Sequence, residues 1–325
     1  MAERSLIEQL DTLVDAVLAG SDARLAPADA RLAPFRDIVV ALRDLPRKDF
    51  RARLKQDLER RASMATPAVK PVREGFHTIT PYLIVSGAAQ FINFLKQAFG
   101  AVEKGRVNRP GTELLMHAEV RIGDSMVELA DATPDYPPRP AAIHLYVEDV
   151  DAVYQRALEA GAASLAGPAD QEYGERGGGV KDRFGNFWYI ATHKGPSFIP
   201  QGLRSVTPYL HPRRAGEVIE FLKRAFGAEE LARYQSPEGA ILHAKVRIGD
   251  SILEMGEAHG PYQPMPCGLH LYVPDTDALY ARAISAGATS IEAPINKPYG
   301  DRSAGVTDPF GNQWFIATHI KDVNF

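Results

Sequence analysis

The sequence contains an internal duplication. Residues 117–193 align with residues 243–319 without a gap, and 42 of these 77 aligned positions are identical. The similarity extends upstream, where the tetrapeptide TPYL occurs at residues 80–83 and again at residues 207–210. Identity of this extent within one chain indicates that one folding unit is repeated. We therefore expect two similar modules, one over residues 76–196 and one over residues 203–325.

Each repeat alternates twice between the hydrophobic periods of strands and helices. In the first repeat the pattern predicts a strand over residues 79–85, a helix over 88–99, and strands over 115–122 and 126–130. The same order of strand, helix and strands then recurs, with a strand over 143–147, a helix over 150–160, and final strands near 180 and over 187–192. This predicts an α+β chain of four strand–helix–strand units, each with one sheet face covered by a helix.

Residues 1–64 follow a different pattern. Apolar residues recur at helical spacing, beginning with Leu6, Leu10 and Leu13, and they predict an N-terminal α-helical segment of two or three helices. A proline- and glycine-containing linker is expected over residues 65–75. The segment either packs on the modules or contacts a protein partner.

Composition argues against several classes of partner. The formal net charge of −4 gives no general attraction to nucleic acid or to an anionic membrane. The N-terminal residues resemble neither a signal peptide nor a membrane span. Cys267 is the single cysteine, which excludes an intramolecular disulfide and favours a cytoplasmic location. No nucleophile-elbow motif supports a covalent mechanism.

Ordered motifs run through both repeats. They are TPYL, then FLKQAFGA and FLKRAFGA, MHAEVRIGDS and LHAKVRIGDS, IHLYVEDVD and LHLYVPDTD, and the final YGERGGGVKDRFGNFWYIATH and YGDRSAGVTDPFGNQWFIATH. In these motifs residues 76–321 resemble the vicinal-oxygen-chelate superfamily of glyoxalases, bleomycin-resistance proteins and dioxygenases, and within it the PhnB-like branch. The resemblance implies two tandem glyoxalase-like modules of paired βαβββ units, whose mixed sheets curl into cups. It also implies that the two copies pair within the chain as a pseudo-dimer.

The resemblance further implies positions for metal ligands. Metal-dependent members hold the ion with four His, Gln or Glu ligands from the first and fourth strands of each unit, leaving room for substrate oxygens. The matching residues here are Thr80, Glu128, His144 and Tyr189 in the first repeat, and Thr207, Glu254, His270 and Phe315 in the second. At each site only two of the four positions carry a residue that can bind a metal ion. This holds whether a cup is built from one repeat or from halves of both repeats. A divalent metal, if bound, would be held by Glu128, His144, Glu254 and His270.

Strand parity predicts which residues line each cup, because residues two apart in a strand share a face. The predicted ligand-binding set joins Tyr82, Tyr146, Tyr209 and Tyr272 to the eight residues at the metal-ligand positions. Leu83 and Val127, on the alternate positions, are predicted core. His117 and His243 are expected at a strand edge or on the cup wall.

A loop before the last strands of each repeat carries a further candidate. Arg176 and Arg302 each follow a Tyr-Gly pair by two residues. Either arginine could grip a carboxylate or phosphate of a ligand with two hydrogen bonds. Alternatively, it could tie its loop to Asp182 or Asp308.

Three functions are compatible with these features, since one fold hosts many activities. The leading hypothesis is small-molecule binding in the cups. The second is a metal-dependent lyase, isomerase or dioxygenase, in which Glu128 or Glu254 is a metal ligand or general base. The third is a ligand-sensing or partner-binding regulatory protein that uses its N-terminal helices.

Overall fold

The computed structural model describes residues 69–323, which belong to one compact unit. The predicted helical segment over residues 1–64, and residues 65–68 of the predicted linker over 65–75, lie outside the described residues. Among the helices of the described part, none is long and apolar enough to span a membrane.

The described residues form four βαβββ units, which confirms the predicted α+β class. The first contains β1 (Ile79–Val85), α1 (Ala88–Phe99), β2 (Val102–Asn108), β3 (Leu115–Ile122) and β4 (Ser125–Asp131). The second contains β5 (Ala142–Tyr146), α2 (Val150–Glu159), β6 (Ala163–Asp170), β7 (Glu175–Lys181) and β8 (Phe187–His193). The third contains β9 (Val206–Leu210), α3 (Ala215–Phe226), β10 (Glu229–Gln235), β11 (Ile241–Ile248) and β12 (Ser251–Met255). The fourth contains β13 (Gly268–Tyr272), α4 (Thr276–Ser285), β14 (Thr289–Asn296), β15 (Asp301–Thr307) and β16 (Gln313–His319).

The strands form two eight-stranded mixed sheets. The first sheet has the order β14-β15-β16-β13-β1-β4-β3-β2, and the second has the order β10-β11-β12-β9-β5-β8-β7-β6. At the centre of the first sheet β1 pairs antiparallel with β13, and at the centre of the second β5 pairs antiparallel with β9. Each sheet therefore combines one unit from each repeat, an arrangement that the sequence had left open.

The hydrophobic core lies between the sheets and their helices. Leu83 and Val127, predicted as core from strand parity, are fully buried, which confirms that prediction. The two units of one repeat meet through this layer, because the ring of Phe99 on α1 lies 4.5 Å from the indole of Trp188 on β8. A repeat is thus joined internally through its helical layer, while its strands pair with the other repeat.

Two hairpin turns fasten the sheets to each other. In the turn between β11 and β12, the Asp250 carboxylate accepts a hydrogen bond of 2.8 Å from the backbone N–H of Thr78. The preceding Gly249 has a φ of 58°, and a Cβ there would lie 2.3 Å from the Thr78 hydroxyl oxygen, so glycine is required. The turn between β3 and β4 repeats the contact, since Asp124 accepts from the Ser205 backbone N–H at 2.8 Å.

The last strand of each repeat ends against the segment that leads into a first strand. The backbone N–H of His319, at the end of β16, donates to the carbonyl of Pro71 at 2.9 Å. The N–H of His193, at the end of β8, donates to the carbonyl of Phe198 at 3.1 Å. The segment before β1 and the segment between the repeats therefore hold equivalent positions.

A single repeat should be unable to complete a sheet by itself. Residues 69–201 expressed alone would expose the edges of β1 and β5 that β13 and β9 cover in the full chain, and uncovered strand edges favour pairing with another chain. We expect this fragment to form a dimer with both sheets rebuilt, giving twice the fragment mass in sedimentation velocity. A folded monomer would contradict this expectation.

The turn contacts should make stability depend on acidity. The hydrogen bond from His77, at 3.0 Å, and that from the Thr78 backbone hold the pKa of Asp250 below its usual range, against the opposing effect of partial burial. A carboxyl whose pKa is lowered by folding stabilises the protein above its unfolded pKa of about 3.9. That contribution is lost as the pH falls through the folded pKa.

We therefore expect the free energy of unfolding to fall between about pH 5 and pH 3, and to fall less in Asp250→Asn. Urea unfolding at several pH values measures both. Asp135→Asn, in the exposed loop after β4, is the matched control. Equal pH dependence in the two variants would argue against the assigned role of Asp250.

Candidate functional site in the two cups

We call the helix-free face of the first sheet the first cup, and that of the second sheet the second cup. In the first cup, strand register sets Tyr82 beside Glu128, and Thr80 beside His270. The parallel pairing of β13 with β16 then sets His270 beside Phe315. The structure therefore gathers five predicted site residues, from both repeats, on one surface.

A carboxylate–imidazole pair lies in the first cup. His270 Nδ1 and Glu128 Oε2 are 2.6 Å apart, and both residues are buried. Because a carboxylate only accepts, the Nδ1 atom carries the proton in this hydrogen bond, and the Nε2 atom is the acceptor of the neutral ring form. The rings of Tyr82 and Phe315 lie 5.0 Å apart beside this pair. Burial, and then the charge of Glu128, raises the pKa of Tyr82, so its hydroxyl stays protonated.

The second cup repeats the arrangement with the roles of the repeats exchanged. His144 Nδ1 lies 2.7 Å from Glu254 Oε2, and the rings of Tyr189 and Tyr209 lie 5.3 Å apart. Burial opposes the charged form of Glu254, but His144 and Lys245 outweigh it and lower the pKa of this carboxyl to about 2. The carboxylate is therefore ionised at neutral pH.

The four-residue metal set implied by the resemblance does not fit a metal ion. In the first cup it offers one carboxylate and one imidazole, hydrogen-bonded to each other, while Thr80 is 2% exposed and Phe315 has no donor atom. In the second cup the Tyr189 hydroxyl is taken by His211 Nε2 at 2.7 Å. Two donors that bond each other fall short of the three or four protein ligands that zinc-type sites use.

Several predicted residues make internal contacts instead of facing open space. Tyr146 and Tyr272 are almost fully buried, and their hydroxyls donate to Glu175 at 3.0 Å and to Asp301 at 2.9 Å. Thr207 is 2% exposed and, with Thr80, lines a small cavity between the two sheets. These contacts indicate that Tyr146 and Tyr272 hold Glu175 and Asp301 in position.

Arg176 lies on the helix-covered side and forms a two-pronged ion pair with Asp151 in the first turn of α2, at 2.6 and 2.7 Å. The same pairing joins Arg302 to Asp277 in the second repeat. Each arginine therefore forms an internal ion pair, but from strand β7 or β15 and not from a loop, and the predicted partners Asp182 and Asp308 were wrong. Asp182 is buried and already accepts hydrogen bonds from its own hairpin, whereas Asp151 is exposed and free to reach the guanidinium. Neither arginine joins the residues of a cup.

Glu119 on β3 and Lys245 on β11 belong to the cups, and the sequence analysis did not name them, although it expected His117 at a strand edge or on the cup wall. In the first cup His117 Nε2 lies 3.1 Å from Glu119 Oε1, and Glu119 is also paired with Arg73. In the second cup the position of Glu119 is occupied by Lys245, whose ammonium lies 3.2 Å from Glu254 Oε1. Strand parity could have found both residues, since positions 117, 119 and 121 share one face.

The second cup carries an additional aromatic wall. His211 stacks on Tyr262 with ring centres 5.5 Å apart, and burial lowers the pKa of His211 to about 4, which keeps its ring neutral. The corresponding residue in the first cup is Ile84. The two cups therefore share a framework and differ in both charge and polarity.

A family model described as the Glyoxalase/Bleomycin resistance protein/Dioxygenase superfamily matches residues 75–190 and 212–316. The chain belongs to this superfamily. The matched residues cover both repeats and leave out the N-terminal segment. Assignment to the PhnB-like branch stays a prediction.

Relatives resemble single repeats or the tandem pair. Uncharacterised proteins of Mycobacterium bovis and Mycobacterium tuberculosis are 42% identical over 131 residues, which is 37% of this chain and 86% and 77% of those proteins, respectively. Glyoxalase I from Zea mays aligns over 74% of this chain and 92% of its own, with a TM-score of 0.56 and 14% identity. A Bacillus subtilis protein described as a putative dioxygenase aligns over 78% of this chain and 87% of its own, with a TM-score of 0.51 and 11% identity. At these identities the structural likeness shows the fold.

The unequal burial of the second cup's ion pair predicts unequal costs of substitution. Glu254 is fully buried against His144 and Lys245, whereas the Lys245 side chain is 28% exposed. We expect Glu254→Leu to lower the free energy of unfolding by about 3 kcal/mol, because it leaves both the His144 imidazole and the Lys245 ammonium without their buried partner. Lys245→Met should cost about 1 kcal/mol, because His144 still pairs with the carboxylate. Urea unfolding compares the variants, and equal losses would contradict this ranking.

Proposed function

We propose that the protein binds a small molecule in each of its two cups. The observation that carries this proposal is the recurrence, in both cups, of a buried glutamate paired with a histidine beside two aromatic rings. Ligand sites are typically concave, aromatic surfaces with a few placed polar groups. Superfamily membership supports the same reading, since its description names bleomycin resistance proteins beside glyoxalases and dioxygenases.

The side chains indicate what such a ligand carries. Each Glu fixes the Nδ1 proton of its His, so the Nε2 atoms of His144 and His270 are acceptors in the neutral rings. A hydroxyl or amino group on the ligand would donate to this atom. A planar body would pack against Tyr82 and Phe315, or against Tyr189. The fitting class is a small planar molecule with a hydrogen-bond donor.

A metal-dependent lyase, isomerase or dioxygenase is the second candidate. The grouping of His117, Glu119 and Glu128 in the first cup favours it. The third candidate, a sensor that binds a protein partner through N-terminal helices, concerns residues outside the described part. We also propose a cytoplasmic location, which agrees with a buried, free Cys267 thiol.

Small-molecule binding is tested by saturation-transfer NMR on the full chain in buffer containing EDTA. The probes are phenol, catechol and 4-hydroxyaniline, which combine a planar ring with a donor. We expect at least one probe to bind, and its affinity to fall about tenfold in Tyr82→Ala/Tyr189→Ala, because one wall ring is lost from each cup.

The control for this experiment is Tyr280→Ala on α4, which removes a ring from the helical layer. Circular dichroism checks that each variant is folded. Failure of every probe to bind, or equal affinity in the wall variant and the wild type, would count against the cups as binding sites.

A further inference from the structure

Three donor atoms converge on the wall of the first cup. His117 and Glu119 are two residues apart on β3, and strand register sets Glu119 directly beside Glu128 on β4. His117 Nε2 lies 3.1 Å from Glu119 Oε1 and 3.9 Å from Glu128 Oε1, and all three donors fall within 4.8 Å of one another. Donors bound to one first-row divalent ion at about 2.1 Å lie roughly 3.0 to 3.5 Å apart. The widest of these separations is at most 4.8 Å, so it has to shorten by no more than about 1.3 Å for the three donors to surround such an ion.

Each of the three groups has its other polar atom held by a neighbour. The pairs are His117 Nδ1 with the Tyr82 hydroxyl at 3.4 Å, Glu119 Oε2 with Arg73, and Glu128 Oε2 with His270 Nδ1 at 2.6 Å. Outer contacts of this kind orient metal ligands and fix the tautomer of a ligating histidine. The atoms left over, one per side chain, are those that face one another.

The charge of this wall also favours a cation. Glu119 and Glu128 are 8% and 1% exposed, and like charges directly opposite on neighbouring strands repel. Arg73, with a third of its side chain exposed, offsets one of the two negative charges. A divalent ion between the carboxylates would offset the other.

The second cup shows the opposite arrangement at the same positions. Residues 117–125 and 243–251 differ only in that Lys245 replaces Glu119. The Lys245 ammonium lies 3.2 Å from Glu254 Oε1, the oxygen that corresponds to the converging oxygen of Glu128. This lysine removes one donor and supplies a permanent positive charge in its place.

We infer that the first cup binds one divalent first-row metal ion through His117, Glu119 and Glu128, and that Lys245 prevents the second cup from binding one. One imidazole and two carboxylates suit Mn²⁺, Fe²⁺ or Zn²⁺. The site shares only Glu128 with the four-residue set implied by family resemblance. The inference rests on the proposed function in one respect, that the cups are open to ligands.

The test is titration of the untagged, EDTA-treated full chain with Mn²⁺ and with Zn²⁺ alone, by calorimetry and, for Mn²⁺, by electron paramagnetic resonance. We expect one equivalent per chain. Glu119→Lys, which copies the second cup into the first, should abolish it, and Glu119→Gln should weaken it at least tenfold. Lys245→Glu should add a second, weaker equivalent, because the second cup has Pro200 at the position of Arg73.

Arg247→Glu is the matched control, since it makes the same charge change two residues further along β11 and should leave one equivalent. Zero or two equivalents in the wild-type chain, or one equivalent retained in Glu119→Lys, would overturn the inference. One equivalent after Lys245→Glu would overturn the role of Lys245. Because the NMR probes are tested in EDTA, failure of metal binding remains distinguishable from failure of small-molecule binding.

Discussion

The antiparallel pairing of β1 with β13, and of β5 with β9, determines how this chain builds its sites. These two ladders join units from different repeats, so Glu128 meets His270 and His144 meets Glu254 across the duplication. Neither repeat carries a complete cup. The helical layer then holds the two units of each repeat together. Because those two units belong to different cups, each repeat links one cup to the other.

Within this shared framework, charge distinguishes the cups. Both contain a buried carboxylate whose Oε2 accepts from an imidazole, and in both a cationic side chain offsets negative charge on the wall. In the first cup the cation is Arg73, which reaches in from the segment before β1 and pairs with Glu119. In the second cup it is Lys245, which lies on the sheet itself and contacts Glu254 directly. The same geometry therefore presents a ligand with two different electrostatic environments.

Much of the fold follows from the hydrophobic periods of strands and helices, and the predicted bounds of β1 and α1 match the structure. The edge strands β2 and β6 were missed, since they are exposed along most of their length and carry no such alternation. Which units share a sheet could not be predicted, because equivalent strands from either repeat satisfy the same register. Parity placed Glu128 on the face that forms the cup, where the structure has it. Glu119 was overlooked because a charged residue on an amphipathic strand resembles a solvent-facing one.

The backbone hydrogen bond between His319 and Pro71 gives the described chain nearly cyclic connectivity. Its four units follow one another around a ring. The junction from β16 to β1, which this hydrogen bond closes, is structurally equivalent to the covalent junction from β8 to β9. A polypeptide that started at the third unit and continued from the fourth into the first would trace the same two cups. The position of the chain ends on this ring therefore sets the order of the repeats along the chain. The composition of each cup does not depend on that order.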